Sequence, residues 1–398
     1  MSRDGTGVRQ PDHTSADGAP TSRPEHPRVQ PGGVPPGRCY NPGVMKAVIL
    51  AGGFGTRLRP LTLDLPKPIV PIFDRPFLYY QTDLLRQVPE IDEVILSLNY
   101  QPDRIEARVG DGTDAGLPLR YVVEPDPLGT GGAIKYASAG IDDTLLVFNG
   151  DVLTGIDLPA VVRRHRERAA RATIVLTPVD DPSAYGLVET DDEGNVRRFL
   201  EKPSPDQITC DTINAGIYIL EPETFDRIQD GTKWSIERQF FPSLVERGET
   251  FVAYVDPGYW LDIGTPASYV RAHRDLMAQR CAAGPFAGQP AGTVYRSDGC
   301  QIAEDAIVEG PCFLGTGCIV GEGARVGANS VLGPRCTIGP GAVVERSILW
   351  RNTLVEHQAV VRDAVLGERC RIEHHAEVGP GTVLGNRSIL TAHSRTPQ

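Results

Sequence analysis

The sequence contains no apolar run approaching the roughly 20 residues that span a bilayer, and no block of Lys or Arg. Its first residues, Met1-Ser2-Arg3-Asp4, lack the apolar core of a secretory signal. A membrane span and export are therefore not expected, and the reading is cytoplasmic. The formal net charge is -11 and the pI near 5.3, which argues against nucleic acid as a partner, because that affinity comes from basic side chains displacing counterions. Lysine is scarce, at 5 against 35 Arg (Lys46, Lys67, Lys135, Lys202 and Lys233). A lysine kept against such a bias is a candidate for a role that a planar guanidinium cannot fill. Eight cysteines are present, but none is spaced Cys-x-x-Cys, and four of them (Cys312, Cys318, Cys336 and Cys370) occupy one slot of a repeat described below. That pattern reads as packing by a small buried hydrophobe, not as metal ligation or disulfides.

What is present divides the chain. Residues 1–44 hold eight Pro and seven Gly with almost no aliphatic periodicity, the composition of an extension that buries too little surface to order itself. The ordered protein is expected to begin at Met45, which is also a candidate start codon, and from there short apolar runs alternate with helical patterns to about 275. Val94 to Leu98, Leu119 to Val123 and Leu145 to Phe148 read as strands, and 77–88, 101–109 and 130–139 as helices. Thr173 to Thr177, Ile213 to Leu220 and Thr250 to Val255 read as further β structure. Alternation of this kind predicts a mostly parallel, Rossmann-like α/β sheet with helices on both faces and ligand loops at the carboxyl ends of its strands. Residues 276–300 read as a connector.

From Ile302 aliphatic residues recur every six positions to Val344, then, after five-residue steps, resume at Leu349 and at Leu366 and run to Leu384. A small residue usually falls four positions later (Ala306, Cys312, Cys318, Ala324, Ser330, Cys336, Ala342). A hexapeptide period predicts a parallel β-helix of about five triangular coils over 301–390, left-handed, with a tail at 391–398. Its regular faces make homo-oligomerisation the expected partnership.

The first strand runs into Leu50-Ala51-Gly52-Gly53-Phe54-Gly55-Thr56-Arg57-Leu58-Arg59-Pro60-Leu61-Thr62, followed by Pro66-Lys67-Pro68. Glycines directly after a strand let backbone amides approach an anion, and a nearby Arg adds bidentate donors. The segment is neither a Walker A loop nor a dinucleotide fingerprint, which need Gly-Lys-Ser/Thr or a third Gly. With Glu124-Pro125, Leu128-Gly129-Thr130, Phe148-Asn149-Gly150-Asp151, Tyr185-Gly186, Glu201-Lys202-Pro203, Asn214-Ala215-Gly216 and Trp260-Leu261-Asp262-Ile263-Gly264 in the same order, residues 45–275 resemble the sugar-1-phosphate nucleotidyltransferases. They look most similar to guanylyltransferases for mannose-1-phosphate that carry a hexapeptide-repeat domain.

The resemblance implies joining of a nucleoside triphosphate to a sugar-1-phosphate with release of pyrophosphate. The nucleophile is already anionic, so positioning and charge neutralisation suffice, in keeping with eight His that all lie outside these motifs. It implies that Leu50, Gly52, Gly53, Gly55, Thr56 and Gly129 bind the nucleotide, that Arg57 and Lys67 neutralise the triphosphate, and that Asp151 and Asp262 hold Mg²⁺. Lys202 would hold the sugar phosphate, Glu201 and Asn214 its hydroxyls, with Gly186 allowing close approach and Trp260 walling the pocket. Glu124 could accept from N1–H and the amine of guanine, which favours GTP. dTTP, UTP or ATP as donor, and glucose-1-phosphate or a cyclitol phosphate as acceptor, stay open. So do a non-catalytic regulatory homologue and an added acyl transfer by His357, His374 or His375.

Overall fold

A computed structural model describes residues 44–397. Apart from Val44, the extension 1–44 lies outside the described residues, as do Cys39 and the last residue of the tail. In chain order the first domain runs β1 (Met45–Leu50), α1 (Leu78–Leu85), β2 (Ile91–Leu98), α2 (Pro102–Val109), β3 (Leu119–Val123), α3 (Gly129–Ala137), β4 (Thr144–Asn149), β5 (Val152–Thr154), α4 (Leu158–Glu167), β6 (Ala172–Pro178), β7 (Gly186–Thr190), β8 (Val196–Glu201), β9 (Thr212–Leu220), α5 (Phe241–Glu246), β10 (Phe251–Val255), β11 (Trp260–Asp262) and α6 (Pro266–Met277). Nine of these strands form one sheet in the order β8-β7-β9-β4-β1-β2-β3, with β6 beside β9 and β10 beside β6. The four strands β4, β1, β2 and β3 are parallel, and β9 joins β4 antiparallel.

Period-two alternation explains why both faces are covered. Along β1, Ala47 and Ile49 pack with Leu78, Ile105 and Val161 of α1, α2 and α4, whereas Val48 packs with Ile134 of α3 and Phe241 and Leu244 of α5. The chain leaves β1 toward β2 and β3 and returns on the other side of β1 as β4. The crevice between the carboxyl ends of β1 and β4 is therefore the topological switch point, where open α/β sheets bind ligands.

Beyond α6, short strands stack in three parallel sheets of six, six and five strands, a left-handed parallel β-helix. The seventeen strands make five full coils and two strands more. The first of them, Val294–Arg296, pairs with Cys312–Leu314 and lies within the stretch that composition reads as a connector. It escapes the hexad count because its residues, Val-Tyr-Arg, break the repeat. The repeating aliphatic residues fill the prism: Leu314, Val320, Val326, Leu332, Ile338 and Val344 are all buried in one cluster. The small slot is also a bonding position. Cys318 Sγ–H donates to Gly333 O at 3.2 Å, Cys336 to Trp350 O at 3.1 Å and Cys370 to Gly385 O at 3.1 Å. Thr353 Oγ1 does the same to Gly367 O at 3.1 Å. Cys300 joins this ladder, donating to Gly315 O at 3.2 Å, and all cysteines among the described residues are free thiols.

One face of the β-helix is apolar on both sides. The residues next to its inward-pointing positions (Phe313, Val331, Ile348, Val365) bury themselves with Trp350 against Leu58, Leu61, Phe73, Phe77 and Tyr269 of the first domain. On the other faces the same register mixes polar residues (Gln301, Thr337, Arg371, Arg325 and Glu377) with aliphatic ones that the first domain does not cover, such as Ile307, Ile319 and Ile389. Trp350 Nε1–H donates to Tyr269 Oη at 2.8 Å within the seam. His273, also buried there, accepts from Phe73 N–H through Nε2 at 3.0 Å and donates from Nδ1 to Tyr269 O at 3.0 Å, which fixes a neutral tautomer.

Candidate active site

The switch-point crevice is a cleft of about 390 Å³. Of the residues singled out from the sequence, Leu50, Gly52, Gly53, Lys67, Glu124, Gly129 and Asp151 line it, with Ser97, Asn99 and Thr130 beside them. Glycine is required by closeness at Gly150, where a Cβ would lie 2.4 Å from Leu50 O. That contact lets the β1 and β4 ends meet, with Gly150 N–H donating to Leu50 O at 3.0 Å. Gly55 is left-handed at φ 58°, and its carbonyl accepts from Thr62 Oγ1 at 2.7 Å, so the loop closes on itself before the turn Thr56–Leu58.

Lys67 opens a short turn bracketed by Pro66 and Pro68, and its side chain is only 12% exposed. Its Nζ lies 2.9 Å from Asp151 Oδ2 and 3.8 Å from Asp262 Oδ1. Strand pairing joins those two carboxylates across 111 residues of sequence: Asp262 ends β11, sits opposite Val152 of β5, and is followed by Ile263, whose N–H donates to Asp151 O at 2.9 Å. Arg57 approaches Asp262 Oδ2 at 3.6 Å, over Gly264, where a Cβ would lie 2.8 Å from the guanidinium. Burial first, and then the Asp151 charge, push the pKa of Asp262 up, while Lys67 and Arg57 pull it down. Its Oδ1 is buried with no hydrogen-bond partner. Two converging carboxylates, one with an unsatisfied buried oxygen, are a donor set that suits a hard divalent cation completing its shell with water and substrate oxygens.

Glu124 is buried at the cleft wall. Ser97 Oγ donates to its Oε1 at 3.3 Å and Leu128 N–H to its Oε2 at 2.9 Å, and burial raises its pKa. Each oxygen keeps a second lone pair, so both can still accept.

A second group gathers at the far end of β7 and β8. Gly186 pairs with Glu201, and a Cβ there would meet Phe199 at 2.7 Å and Glu201 Oε2 at 3.1 Å. Burial, followed by the Glu237 charge, raises the Glu201 pKa. Lys202 is exposed, makes no salt bridge among the described residues, and has φ 53°, a strained conformation for a non-glycine residue of the kind found at functional sites. Trp260, two residues from Asp262, donates to Ala215 O at 2.9 Å and meets the Tyr185 ring edge-on at 5.5 Å. Asn214 turns inward: its Oδ1 accepts from Gly216 N–H and its Nδ2 donates to Tyr218 Oη, both at 2.9 Å.

Sequence reading missed Gln81. On the buried side of α1, its Nε2 donates to Asn149 O at 2.9 Å and Val152 O at 3.1 Å, clamping the turn that presents Asp151. An amide inside an otherwise apolar helix face was the available signal. His357, His374 and His375 do not line the cleft. With His393 they form ring pairs on a β-helix corner, stacked at 5.0 Å for both His357–His374 and His375–His393.

Residues 46–279 match the nucleotidyl transferase family, and residues 291–395 match the EIF2B subunit epsilon LbH domain. A mannose-1-phosphate guanylyltransferase of Mycobacterium tuberculosis is 43% identical over 273 residues, covering 68% of this chain and 74% of that protein. A probable mannose-1-phosphate guanylyltransferase 2 of Arabidopsis thaliana is 34% identical over 362 residues, covering 87% and 97%. Among solved structures, HddC from Yersinia pseudotuberculosis in complex with GMP-PN superposes with a TM-score of 0.50 at 34% identity, covering 58% of this chain and 99% of that one. The chain belongs to the nucleotidyl transferase family, as a sugar-1-phosphate nucleotidyltransferase with a C-terminal hexapeptide-repeat β-helix.

Proposed function

We propose that the protein joins GTP to mannose-1-phosphate, giving GDP-mannose and pyrophosphate, with Mg²⁺ at Asp151 and Asp262. A phosphate oxygen of the sugar attacks the α-phosphorus of GTP, the new O–P bond forms, and the bond from the α-phosphorus to the bridging oxygen breaks with pyrophosphate leaving. The observation that carries this reading is Lys67, held between Asp151 and Asp262 at the strand switch point. A phosphate entering there exchanges the carboxylate contacts of Lys67 for its own oxygens, and the two aspartates are freed to hold Mg²⁺. Held by Asp151 and Asp262, Mg²⁺ would neutralise charge on the triphosphate oxygens. The backbone at Gly52, Gly53, Gly55 and Thr56 cradles the triphosphate, and Arg57 adds a second cation. Lys202 receives the sugar phosphate as a point charge on a flexible stem, Glu201 accepts from sugar hydroxyls, and Trp260 walls the pocket. Asn214 has one amide hydrogen left for the sugar. Glu124 accepts from N1–H and the exocyclic amine of guanine, whereas thymine and uracil present one donor between two acceptors. The GMP-PN complex of HddC and the guanylyltransferase names of the two relatives support the same base.

The test is pyrophosphate release across a matrix of nucleoside triphosphates and sugar-1-phosphates. GTP with mannose-1-phosphate should be turned over fastest, and Glu124→Gln should narrow the gap between GTP and UTP or dTTP. A clear preference for UTP, dTTP or ATP, or for another sugar phosphate, would overturn the assignment of that substrate, and a matrix with no turnover would support a non-catalytic regulatory role.

A further inference from the structure

A second cleft, of about 400 Å³, opens between the first domain and the β-helix, outside the active site. Five arginines converge on it: Arg104 and Arg108 from α2, and Arg351, Arg369 and Arg387 from the β-helix. Two acids share the lining, Asp64 and Glu368. Glu368 is already committed to Arg351, at 2.7 Å from Nε and 3.1 Å from a terminal nitrogen, and Arg104 bonds the backbone carbonyl of Asp64. The guanidiniums of Arg108, Arg369 and Arg387 make no salt bridge or hydrogen bond among the described residues. Three unpaired cations in one concavity repel one another, and they gather in a chain whose net charge is -11.

Arg369 and Arg387 hold equivalent corner positions on successive coils, with left-handed φ of 57° and 61°. Coil stacking sets them about 4.8 Å apart along the axis, a spacing that serves two neighbouring phosphoryl groups through bidentate guanidinium contacts. Asn386, between the two coils, fixes the corner by accepting from Glu368 N–H at 2.8 Å. The cleft also borders the catalytic loop. Asp64 and Leu65, which precede Pro66 and Lys67, form part of its wall, and Gly385 lies so close to Pro60 that a Cβ would be 3.3 Å from the proline Cβ.

We propose that this cleft is a second ligand site that takes a diphosphate group, held by Arg108, Arg369 and Arg387. Free pyrophosphate and a nucleoside-diphosphate sugar share that chemistry. Calorimetric titration of the full chain in low salt tests the proposal, using inorganic pyrophosphate in one arm, GDP-mannose in another and inorganic phosphate in a third. Pyrophosphate should bind at two equivalents per chain in the wild type. The double variant Arg369→Gln with Arg387→Gln should retain one, with the other weakened at least tenfold. Arg335→Gln, on the same corner ladder but outside the cleft, should titrate as wild type. A second equivalent of GDP-mannose identifies the nucleotide sugar as an occupant, and a second equivalent seen with pyrophosphate alone identifies the free anion. A single equivalent in the wild type, two equivalents surviving in the double variant, or inorganic phosphate filling the cleft as tightly as pyrophosphate would overturn it. The readout is binding, so its failure is separable from a failure of the activity assay.

Discussion

The β-helix and the catalytic domain solve opposite problems with the same backbone chemistry. In the β-helix every coil pairs with the next at a separation of 17 or 18 residues, as in Arg325 opposite Val343 and Val343 opposite Val360. Each inward aliphatic residue repeats its neighbour, so stability is distributed along the stack. In the catalytic domain the decisive contact joins Asp151, Asp262 and Lys67, which come from three distant segments and have no duplicate. Repetition makes a rigid platform, and convergence makes a site. The seam between them, built from Trp350, Tyr269, Phe73 and Phe313, is where the platform bears on the catalytic loop.

The largest effect is expected at that seam. Trp350→Ala removes a fully buried ring and its bond to Tyr269, and should cost about 4 kcal/mol in urea unfolding. If the two regions unfold independently, the loss should appear in one of two transitions, and a loss below 1 kcal/mol would mean that the seam couples nothing.

Lys67→Ala should lower kcat/KM about 1,000-fold with a much smaller loss of stability, since the repulsion then left between Asp151 and Asp262 can be relieved by proton uptake at Asp262, whose pKa burial and Asp151 already push up. A fall in stability matching the fall in activity would make Lys67 a structural residue and erase the contrast drawn above.

The smallest effect concerns pH. Burial drives the His273 pKa down from 6.5 to about 4, because Nε2 must stay unprotonated to accept from Phe73 N–H. The folded pKa lies below the unfolded one, so the neutral ring's contribution is complete above pH 6.5 and is lost as pH falls toward 4. By that point the loss reaches about 3 kcal/mol, which His273→Gln should remove from the difference between stabilities at pH 7 and pH 4.5. An unchanged pH slope in the variant would assign the acid sensitivity elsewhere.

The legibility of the two regions differed for the same reason that their architectures do. A hexad is a local pattern, and a run of six-residue steps from Ile302 to Val344 leaves little else that the chain can form. Strands β1 to β4 and helices α1 to α3 were also readable, because each carries its own periodicity. The segments that complete the sheet edge and the site were less so. β7, β8 and β11 are short, polar in part and defined by pairing with distant partners, as Asp262 is by Val152. Gln81 carries no motif, and acts through where α1 comes to rest. The docked face of the β-helix carries Phe313, Val331, Ile348 and Val365, but Ile307, Ile319 and Ile389 hold the same register on the other faces, so the face is distinguished only once its partners Leu58 and Phe77 are in place.

The sequence by itself determined the architecture, because hydrophobic period acts within a few residues, and its ordered motifs carried the class of chemistry through their resemblance to the sugar-1-phosphate nucleotidyltransferases. The tertiary structure decided that Lys67 is wedged between two aspartates and that Asn214 is turned inward. It also decided that one β-helix face is covered and that unpaired arginines from two domains share a cleft. Those are distances between chain segments, set by strand pairing and buried area across the whole fold and by no local pattern.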